Sequence, residues 1–217
     1  MLLGAIDVTP LEAAQMYTGL ANGGFRMPLR AVRAVISEDG KTIRAFPLQV
    51  TPVATPENIY QLDRMMEQVM ERGTGRPARS VLPANLVVAG KSGTSSDLRD
   101  NWFAGFSGSH MAVVWVGYDD NLPTGFTGSS GALPVWARLM AGLGTTSWNA
   151  PMPESLAETW IEYPTGLQVE AGCSSDAAPI AVPVGTQIPM KPGCGPESHG
   201  IGEIVKRAGE WLRDIMH

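Results

Sequence analysis

Glycine and proline are the residues that most constrain the fold of this chain. Together they make up 42 of the 217 residues, with 25 glycines and 17 prolines. Proline removes a backbone donor and glycine permits positive φ, so both tend to end helices and strands. We therefore predict short elements joined by many turns. A hydrophobic content of 44% and a charged content of 17% indicate a globular chain with a core.

The charge balance and the apolar pattern argue against two classes of partner. The net charge is −5 and the sequence pI is about 5.2, whereas a nucleic-acid-binding surface needs a basic patch. No apolar run approaches the ~20 residues that cross a bilayer. The first six residues are apolar but lack the basic region of a signal peptide and meet Asp7 at once. The sequence predicts no nucleic-acid partner, no membrane span and no export signal in this chain.

Three segments carry helix signals. Thr9, Pro10 and Glu12 form a capping box with proline at the first helical position. A second helix is predicted to begin at Thr55 and a short third one near Leu133. The apolar positions of these helices are Ala13, Met16, Tyr17 and Leu20 in the first, Ile59, Leu62, Met66 and Val69 on the buried face of the second, and Val135, Trp136, Leu139 and Met140 in the third.

Strand patterns fill much of the sequence between these helices. Residues 31–36 and 42–46 are predicted as two short strands around a turn. The strongest β pattern begins at residues 86–89 and continues with strands at 102–106 and 111–117. Three consecutive strands at this spacing indicate an antiparallel meander. The predicted fold class is α+β, an antiparallel sheet flanked by helices.

The last quarter of the chain differs in composition from about Trp148 onward. Eight prolines lie between residues 151 and 196, and no long periodic segment occurs before an apolar stripe at 204–215. A docking helix is the favoured interpretation of that stripe over a membrane-surface or partner-binding helix. We predict two parts, residues 1–148 and residues 149–217.

Two cysteines, Cys173 and Cys194, lie in this second part. A disulfide closing a loop of that size would contribute about 3 kcal/mol and imply an oxidising compartment. The alternative is two unpaired thiols in a cytosolic protein. Metal binding is less favoured, because His199 is the nearby imidazole and no CxxC spacing exists. No metal site and no cofactor are predicted.

The stretch that points to chemistry is Lys91-Ser92-Gly93-Thr94, directly after an apolar segment. Lys-Thr-Gly, together with Ser-x-x-Lys and Ser-Asp-Asn, is a signature of penicillin-binding proteins and class A β-lactamases. On an edge strand, such a motif lets a substrate add backbone hydrogen bonds. The lysine supplies positive charge, the hydroxyls hold a carboxylate, and glycine permits close backbone approach. A lone Lys-Ser-Gly is common in proteins, so only the surrounding sequence can indicate whether it is a functional motif.

That context resembles class A penicillin-binding proteins, and most of all their 1b type. The resemblance is carried, in family order, by residues 2–12, 68–76 around Arg72-Gly73-Thr74-Gly75, 88–106, 113–121 and 127–132, and by the two cysteines and the terminal stripe. It implies that residues 1–148 are the carboxy-terminal portion of a transpeptidase domain and residues 149–217 a disulfide-closed tail. The fold expected is part of the penicillin-binding, serine β-lactamase-like fold.

The resemblance also implies the activity of the parent protein. It would be a bifunctional peptidoglycan synthase at the periplasmic face of the bacterial inner membrane. Its serine would attack D-Ala-D-Ala stem peptides, form an acyl-enzyme and cross-link a neighbouring stem, and β-lactams would acylate the same serine. Lys91 and Thr94 would be catalytic, Lys91 through proton transfer and Thr94 through an oxyanion-hole N–H. Ser92, Gly93 and Thr94 would bind substrate, Ser92 standing where threonine is usual.

One required motif is missing from this sequence. The positions three residues before the four lysines hold Glu38, Val88, Ile188 and Glu203, so no Ser-x-x-Lys exists. A Ser-x-Asn match at residues 147–149 follows Lys91 instead of preceding it and is attributed to chance. His110, His199, His217 and the Asp119-Asp120 pair are not expected to supply a replacement site.

The expectation is therefore a fragment that is inactive alone and poorly stable, with an apolar face left for the missing amino-terminal part of the domain. Two alternatives remain open. One is a non-catalytic module that binds peptidoglycan or a partner through the Lys91 strand, and the other is a small serine hydrolase using Ser92.

Overall fold

The computed structural model describes residues 7–195, and its chain divides into two units, Met1–Pro153 and Glu154–His217. The first unit has helices α1 (Pro10–Ala21), α2 (Pro56–Glu71) and α3 (Ala132–Gly142) and strands β1 (Phe25–Arg26), β2 (Ala34–Ile36), β3 (Thr42–Ala45), β4 (Thr51–Pro52), β5 (Ala89–Thr94), β6 (Asn101–Phe106) and β7 (Met111–Val116). The second has β8 (Leu156–Glu162) and β9 (Ala177–Pro183).

Local sequence signals account for the starts of the first two helices. Thr9 caps α1 in a capping box, accepting from the Glu12 N–H while the Glu12 carboxylate accepts from the Thr9 N–H at 2.8 Å. Thr55 caps α2 with its hydroxyl, which accepts from the Asn58 N–H, but without the reciprocal bond of a capping box. Both helices carry proline in the first turn, where its missing N–H costs nothing.

The central sheet has the strand order β5-β6-β7 and is antiparallel throughout. Helix α1 contacts β6 and β7, and α3 contacts the same two strands. Phe103 and Trp136 lie in one apolar cluster, with ring centroids 4.9 Å apart. Ala89 and Phe106 lie in the other, together with partly buried α1 side chains. Because neighbouring residues of a strand point to opposite faces, these are the two faces of the sheet, and the predicted α+β meander is confirmed.

The buried stripe of α2 differs from the predicted one. The prediction placed Leu62 and Val69 on the buried face, but Leu62 is 41% exposed and Val69 is only half-buried. Asp63, only 2% exposed, and Met70 take their places. The stripe runs through Ile59, Asp63, Met66 and Met70, a helical spacing that was missed because Asp63 is polar.

Two further predictions need correction. Strand β5 begins at Ala89 and not at Leu86, so the Lys91 motif forms most of the strand instead of following it. Met16 of α1 was predicted on the apolar face but is 54% exposed. In the second unit, the β8–β9 hairpin was not predicted, because the two prolines of β9 and the alanines of both strands obscure a strand pattern.

The second unit is built on that hairpin and on one disulfide. Cys173 and Cys194 are bonded, with their Cα atoms 5.7 Å apart, which confirms the predicted pairing. Val169, Ala177 and Cys194 form a small buried cluster with Trp160 against it. The predicted terminal helix at residues 204–215 lies outside the described residues.

An apolar surface remains exposed on the first unit. Across residues 25–53, which include β1 to β4, most side chains are open to solvent. The large apolar ones are Phe25, Leu29, Val32, Val35, Ile36, Ile43, Leu48, Val50 and Val53. Among residues 7–195, no helix is long and apolar enough to cross a bilayer.

Candidate active-site strand

Strand β5 carries the predicted site residues at the edge of the central sheet. Within the described chain it pairs only with β6. Its first two residues, Ala89 and Gly90, are buried, and α2 contacts the strand. Lys91 and Thr94 are exposed. An extended ligand could therefore reach the second half of the strand, where the predicted motif lies.

The register with β6 separates the motif into two faces. Ser92 and Thr94 stand opposite Phe103 and Asn101, on the face that α3 covers. Lys91 stands opposite Ala104, on the other face. The free edge lies between the two faces, so a ligand along it could meet the ammonium from one side and the hydroxyls from the other.

The ammonium group of Lys91 stays at this edge. Its Nζ donates to the Ser92 carbonyl oxygen at 2.7 Å. No described carboxylate forms an ion pair with Lys91. The positive charge is therefore available to an anionic ligand, because its one hydrogen bond is to a neutral carbonyl.

A loop fixes the hydroxyl of Thr94. The Gly128 N–H donates to Thr94 Oγ1 at 2.9 Å, across 34 residues of sequence. A Cβ at Gly128 would lie 2.5 Å from the carbonyl oxygens of both Gly93 and Trp102. Only glycine permits so close an approach, and the accepted bond leaves the Thr94 proton free to point toward a ligand.

The hydroxyl of Ser92 is held from a second loop. Thr74 Oγ1 lies 2.7 Å from Ser92 Oγ, and either oxygen can be the donor. Thr74 lies between α2 and a 3₁₀ turn at Arg76–Ser80. Both motif hydroxyls are thus oriented by residues outside the strand, Ser92 by Thr74 and Thr94 by Gly128.

Comparison with known proteins identifies the family of the chain that carries this strand. The family model "Penicillin binding protein transpeptidase domain" matches residues 3–141, which include every element of the first unit except the last residue of α3. The chain belongs to this transpeptidase family. Penicillin-binding protein 1B of Escherichia coli is 43% identical over 164 residues, which are 75% of this chain and 19% of that protein. The chain thus spans about a fifth of the length of the curated relatives it matches.

Solved structures agree with the fold. Penicillin-binding protein 1A of Haemophilus influenzae matches with a TM-score of 0.74 and 21% identity, covering 87% of this chain and 34% of that one. Penicillin-binding protein A of M. tuberculosis, solved as an imipenem acyl-enzyme complex, matches with a TM-score of 0.51 and 19% identity, covering 64% and 32%. The α+β transpeptidase fold and the class A, 1b-type resemblance are both confirmed.

Other parts of this transpeptidase region support the end of the sheet beside Thr94. Asn101 is fully buried, and its Nδ2 donates to Val116 O at 3.2 Å and to Thr124 Oγ1 at 2.6 Å. The indole N–H of Trp115 donates to Asp100 Oδ1 at 2.9 Å. These bonds tie β6 to β7 and to the loop that carries Gly128.

The remaining sequence candidates do not join the strand motif. Ser147 Oγ accepts from the Val87 N–H at 3.1 Å and donates to Asn85 O at 3.3 Å. Its hydroxyl thus fastens the backbone around residues 85–87 and has a structural role. His110 lies in the β6–β7 turn, at the opposite end of the sheet from Thr94. His199 and His217 lie outside the described residues. The sequence missed Thr74 and Gly128, although both lie in stretches that carried the family resemblance.

Proposed function

We propose that this chain is the part of a bifunctional peptidoglycan synthase whose β5 edge binds the donor stem peptide during D,D-transpeptidation. The observation that supports this proposal is the open half of β5. There, among residues 7–195, the Lys91 ammonium has no carboxylate partner and the Ser92 and Thr94 hydroxyls are oriented by other segments, beside a strand edge that no described strand pairs with. This matches what a peptide ending in a carboxylate requires: a strand edge for its backbone and donors for its terminal charge.

The residues have separate roles in this proposal. The stem peptide, or a β-lactam in its place, lies along the edge, with Gly93 permitting close approach of its backbone. Ser92 and Thr94 donate to the terminal carboxylate. The Thr94 backbone N–H contributes to the oxyanion hole, and Lys91 supports proton transfer and attracts the anionic substrate. The M. tuberculosis relative, which is acylated by imipenem, supports the extension to β-lactams.

The nucleophile comes from elsewhere in the parent protein in this proposal. Its serine Oγ attacks the D-Ala carbonyl, the terminal D-Ala leaves with a proton, and the amine of a second stem then displaces the serine from the ester. No lysine of the present sequence has a serine three residues before it. The isolated chain should therefore not form an acyl-enzyme.

We further propose that the amino-terminal part of the same transpeptidase domain covers the exposed apolar surface of residues 25–53. Burial of such side chains yields roughly 25 cal/mol per Å². Residues 1–148 would belong to the transpeptidase domain, and residues 149–217 would form its disulfide-closed tail. The Cys173–Cys194 disulfide supports a periplasmic location, at the outer face of the inner membrane.

Labelling by a fluorescent penicillin tests this function. The intact parent protein should label, and Lys91→Ala should slow its acylation by about 10²–10⁴-fold, because proton transfer and charge attraction are both lost. Arg138→Ala, which removes an exposed positive charge from α3, is the matched control and should label normally.

The isolated chain completes this experiment. It should not label alone, but it should restore labelling when mixed with the separately produced amino-terminal part. Unchanged acylation of Lys91→Ala would show that the strand is misassigned. Labelling of the isolated chain at Ser92 would indicate a small serine hydrolase instead.

A further inference from the structure

We propose that Thr74 is a positioning residue for the carboxylate subsite, acting through the hydroxyl of Ser92. This inference rests on the proposed function, because it assigns Ser92 to the substrate carboxylate. Thr74 would donate to Ser92, and Ser92 would donate its own proton to the ligand. The loop that carries Thr74 would therefore influence how tightly a ligand carboxylate binds, although it does not touch the ligand.

The loop is built to hold Thr74 in one place. The N–H groups of Gly73 and Gly75 both donate to Val69 O, at 3.1 and 3.0 Å, which anchors the loop on the last turn of α2. Gly75 is buried, and a Cβ there would lie 2.5 Å from the sulfur of Met70. The backbone around Thr74 is therefore fixed by its neighbours, while Thr74 itself is exposed and can reach Ser92.

The donor and acceptor requirements of a carboxylate fix the direction of the two hydrogen bonds, from Thr74 to Ser92 and from Ser92 to the ligand. A carboxylate can only accept, so a Ser92 hydroxyl that binds it must donate. Ser92 Oγ can then only accept from Thr74, 2.7 Å away, and Thr74 becomes the donor. Thr94 has the same arrangement, because its oxygen accepts from the Gly128 N–H. Such chains strengthen each bond by polarisation, which favours the ionised ligand.

The identity of residue 92 explains why an external partner matters. A threonine is restricted at χ1 by its branched Cβ, whereas a serine rotates among three staggered conformations. Threonine is usual at this motif position, and this chain has Ser92. The bond from Thr74 selects one rotamer of Ser92 and so replaces the restriction that the missing methyl group would have given.

The test uses the intact parent protein and its acylation by benzylpenicillin. Thr74→Val keeps the shape of the side chain but removes its hydroxyl, and should raise the penicillin concentration for half-maximal acylation about five- to tenfold, the effect of one hydrogen bond. The limiting acylation rate should change little. Thr74→Ser keeps the donor and should behave like the native protein. Thr186→Val, a matched control, lies in the second unit, where its hydroxyl bonds to Pro183 O.

Two comparisons separate this role from a purely structural one. The methyl ester of benzylpenicillin has no carboxylate, so Thr74→Val should acylate with it as the native protein does. In a Ser92→Thr background, where the rotamer is already restricted, Thr74→Val should have less than half of its effect. Equal losses with acid and ester, or equal losses in both backgrounds, would overturn the proposal.

The outcome is distinguishable from failure of the proposed function. If Lys91→Ala blocks acylation while Thr74→Val acylates normally, only the role of Thr74 is wrong. If Lys91→Ala acylates normally, the function itself is wrong. If the thermal transition shows that Thr74→Val does not fold, Thr74→Ala replaces it. The comparison of Thr74→Ala, which lacks the hydroxyl, with Thr74→Ser, which keeps it, then tests the same role.

Discussion

Among residues 7–195, each unit has one carboxyl group that is almost inaccessible to solvent, and the pKa values of these two groups are shifted in opposite directions. Asp63 on α2 is 2% exposed, and burial raises its pKa to about 7. Glu162 at the end of β8 is 5% exposed, and hydrogen bonds from Lys191, Ser174 and Thr165 lower its pKa to about 2. Similar burial thus favours the neutral form of one group and the charged form of the other.

The difference lies in the donors that surround each group. Asp63 Oδ1 has no hydrogen-bond partner among the described residues. Glu162 accepts at 2.6 Å from Lys191 Nζ, at 2.7 Å from Ser174 Oγ and at 2.8 Å from Thr165 Oγ1. Burial penalises a charge only when hydrogen bonds do not replace the lost water. The ionised carboxylate of Glu162 therefore stabilises the second unit, whereas the ionised carboxylate of Asp63 destabilises the first at neutral pH.

Removal of the disulfide should produce the largest change in this comparison. Ser174 follows Cys173 directly, and the Cys194 N–H donates to Lys191 O, so the bond keeps two donors of Glu162 together. Cys173→Ser with Cys194→Ser should cost the second unit about 3 kcal/mol. Hydrogen exchange of β8 and β9 amides would measure it, with α2 amides as the internal control. Unchanged exchange in β8 and β9 would show that the hairpin does not need the bond.

Asp63→Asn should have the next largest effect. The folded pKa of Asp63 lies above its ordinary value of 3.8, so its stability contribution is complete below about pH 4 and is lost as pH rises toward 7. The shift from 3.8 to about 7 sets an upper limit of about 4 kcal/mol on that loss, and relaxation around the buried charge is expected to halve it. The variant should therefore raise stability at pH 8 by about 2 kcal/mol, with little change at pH 4. Urea unfolding at both pH values measures this. A variant less stable at pH 8 would show that Asp63 has a charged partner.

Glu162→Gln should have the smallest effect at neutral pH, but one with the opposite pH dependence. The folded pKa of Glu162 lies below its ordinary value of 4.5, so its contribution is present above about pH 4.5 and is lost as pH falls toward 2. Amide exchange in β8 and β9 should therefore accelerate on acidification in the native chain. The variant should exchange faster at pH 6 and depend less on acid. Identical acid dependence in both proteins would contradict the assignment.

Much of the first unit could be predicted from local patterns. The starts of α1 and α2 follow from threonine caps and first-turn prolines, which act within four residues. The strands β6 and β7 follow from apolar runs with a serine-glycine turn between them. The buried stripe of α2 was wrong at Leu62, because a hydrophobicity pattern cannot assign a buried position to Asp63.

The second unit was less predictable for a different reason. Its hairpin has little periodic signal, and its stability depends on contacts between distant segments: a disulfide across 21 residues and the Glu162–Lys191 ion pair across 29. The disulfide between the two cysteines was predicted, with unpaired thiols as the alternative, and it is confirmed. The two strands around it could not be predicted, because the tertiary contacts decide their conformation.

The candidate site shows the same division. The sequence alone showed the family and the absence of a Ser-x-x-Lys, and it predicted Lys91, Ser92, Gly93 and Thr94 as site residues, because these inferences depend on residue identity and spacing. Only the tertiary structure brought Thr74 to Ser92 and Gly128 to Thr94, over 18 and 34 residues. The hydrogen-bond partners of a strand edge depend on how distant loops fold back onto the strand. A local sequence pattern contains no information about those long-range contacts.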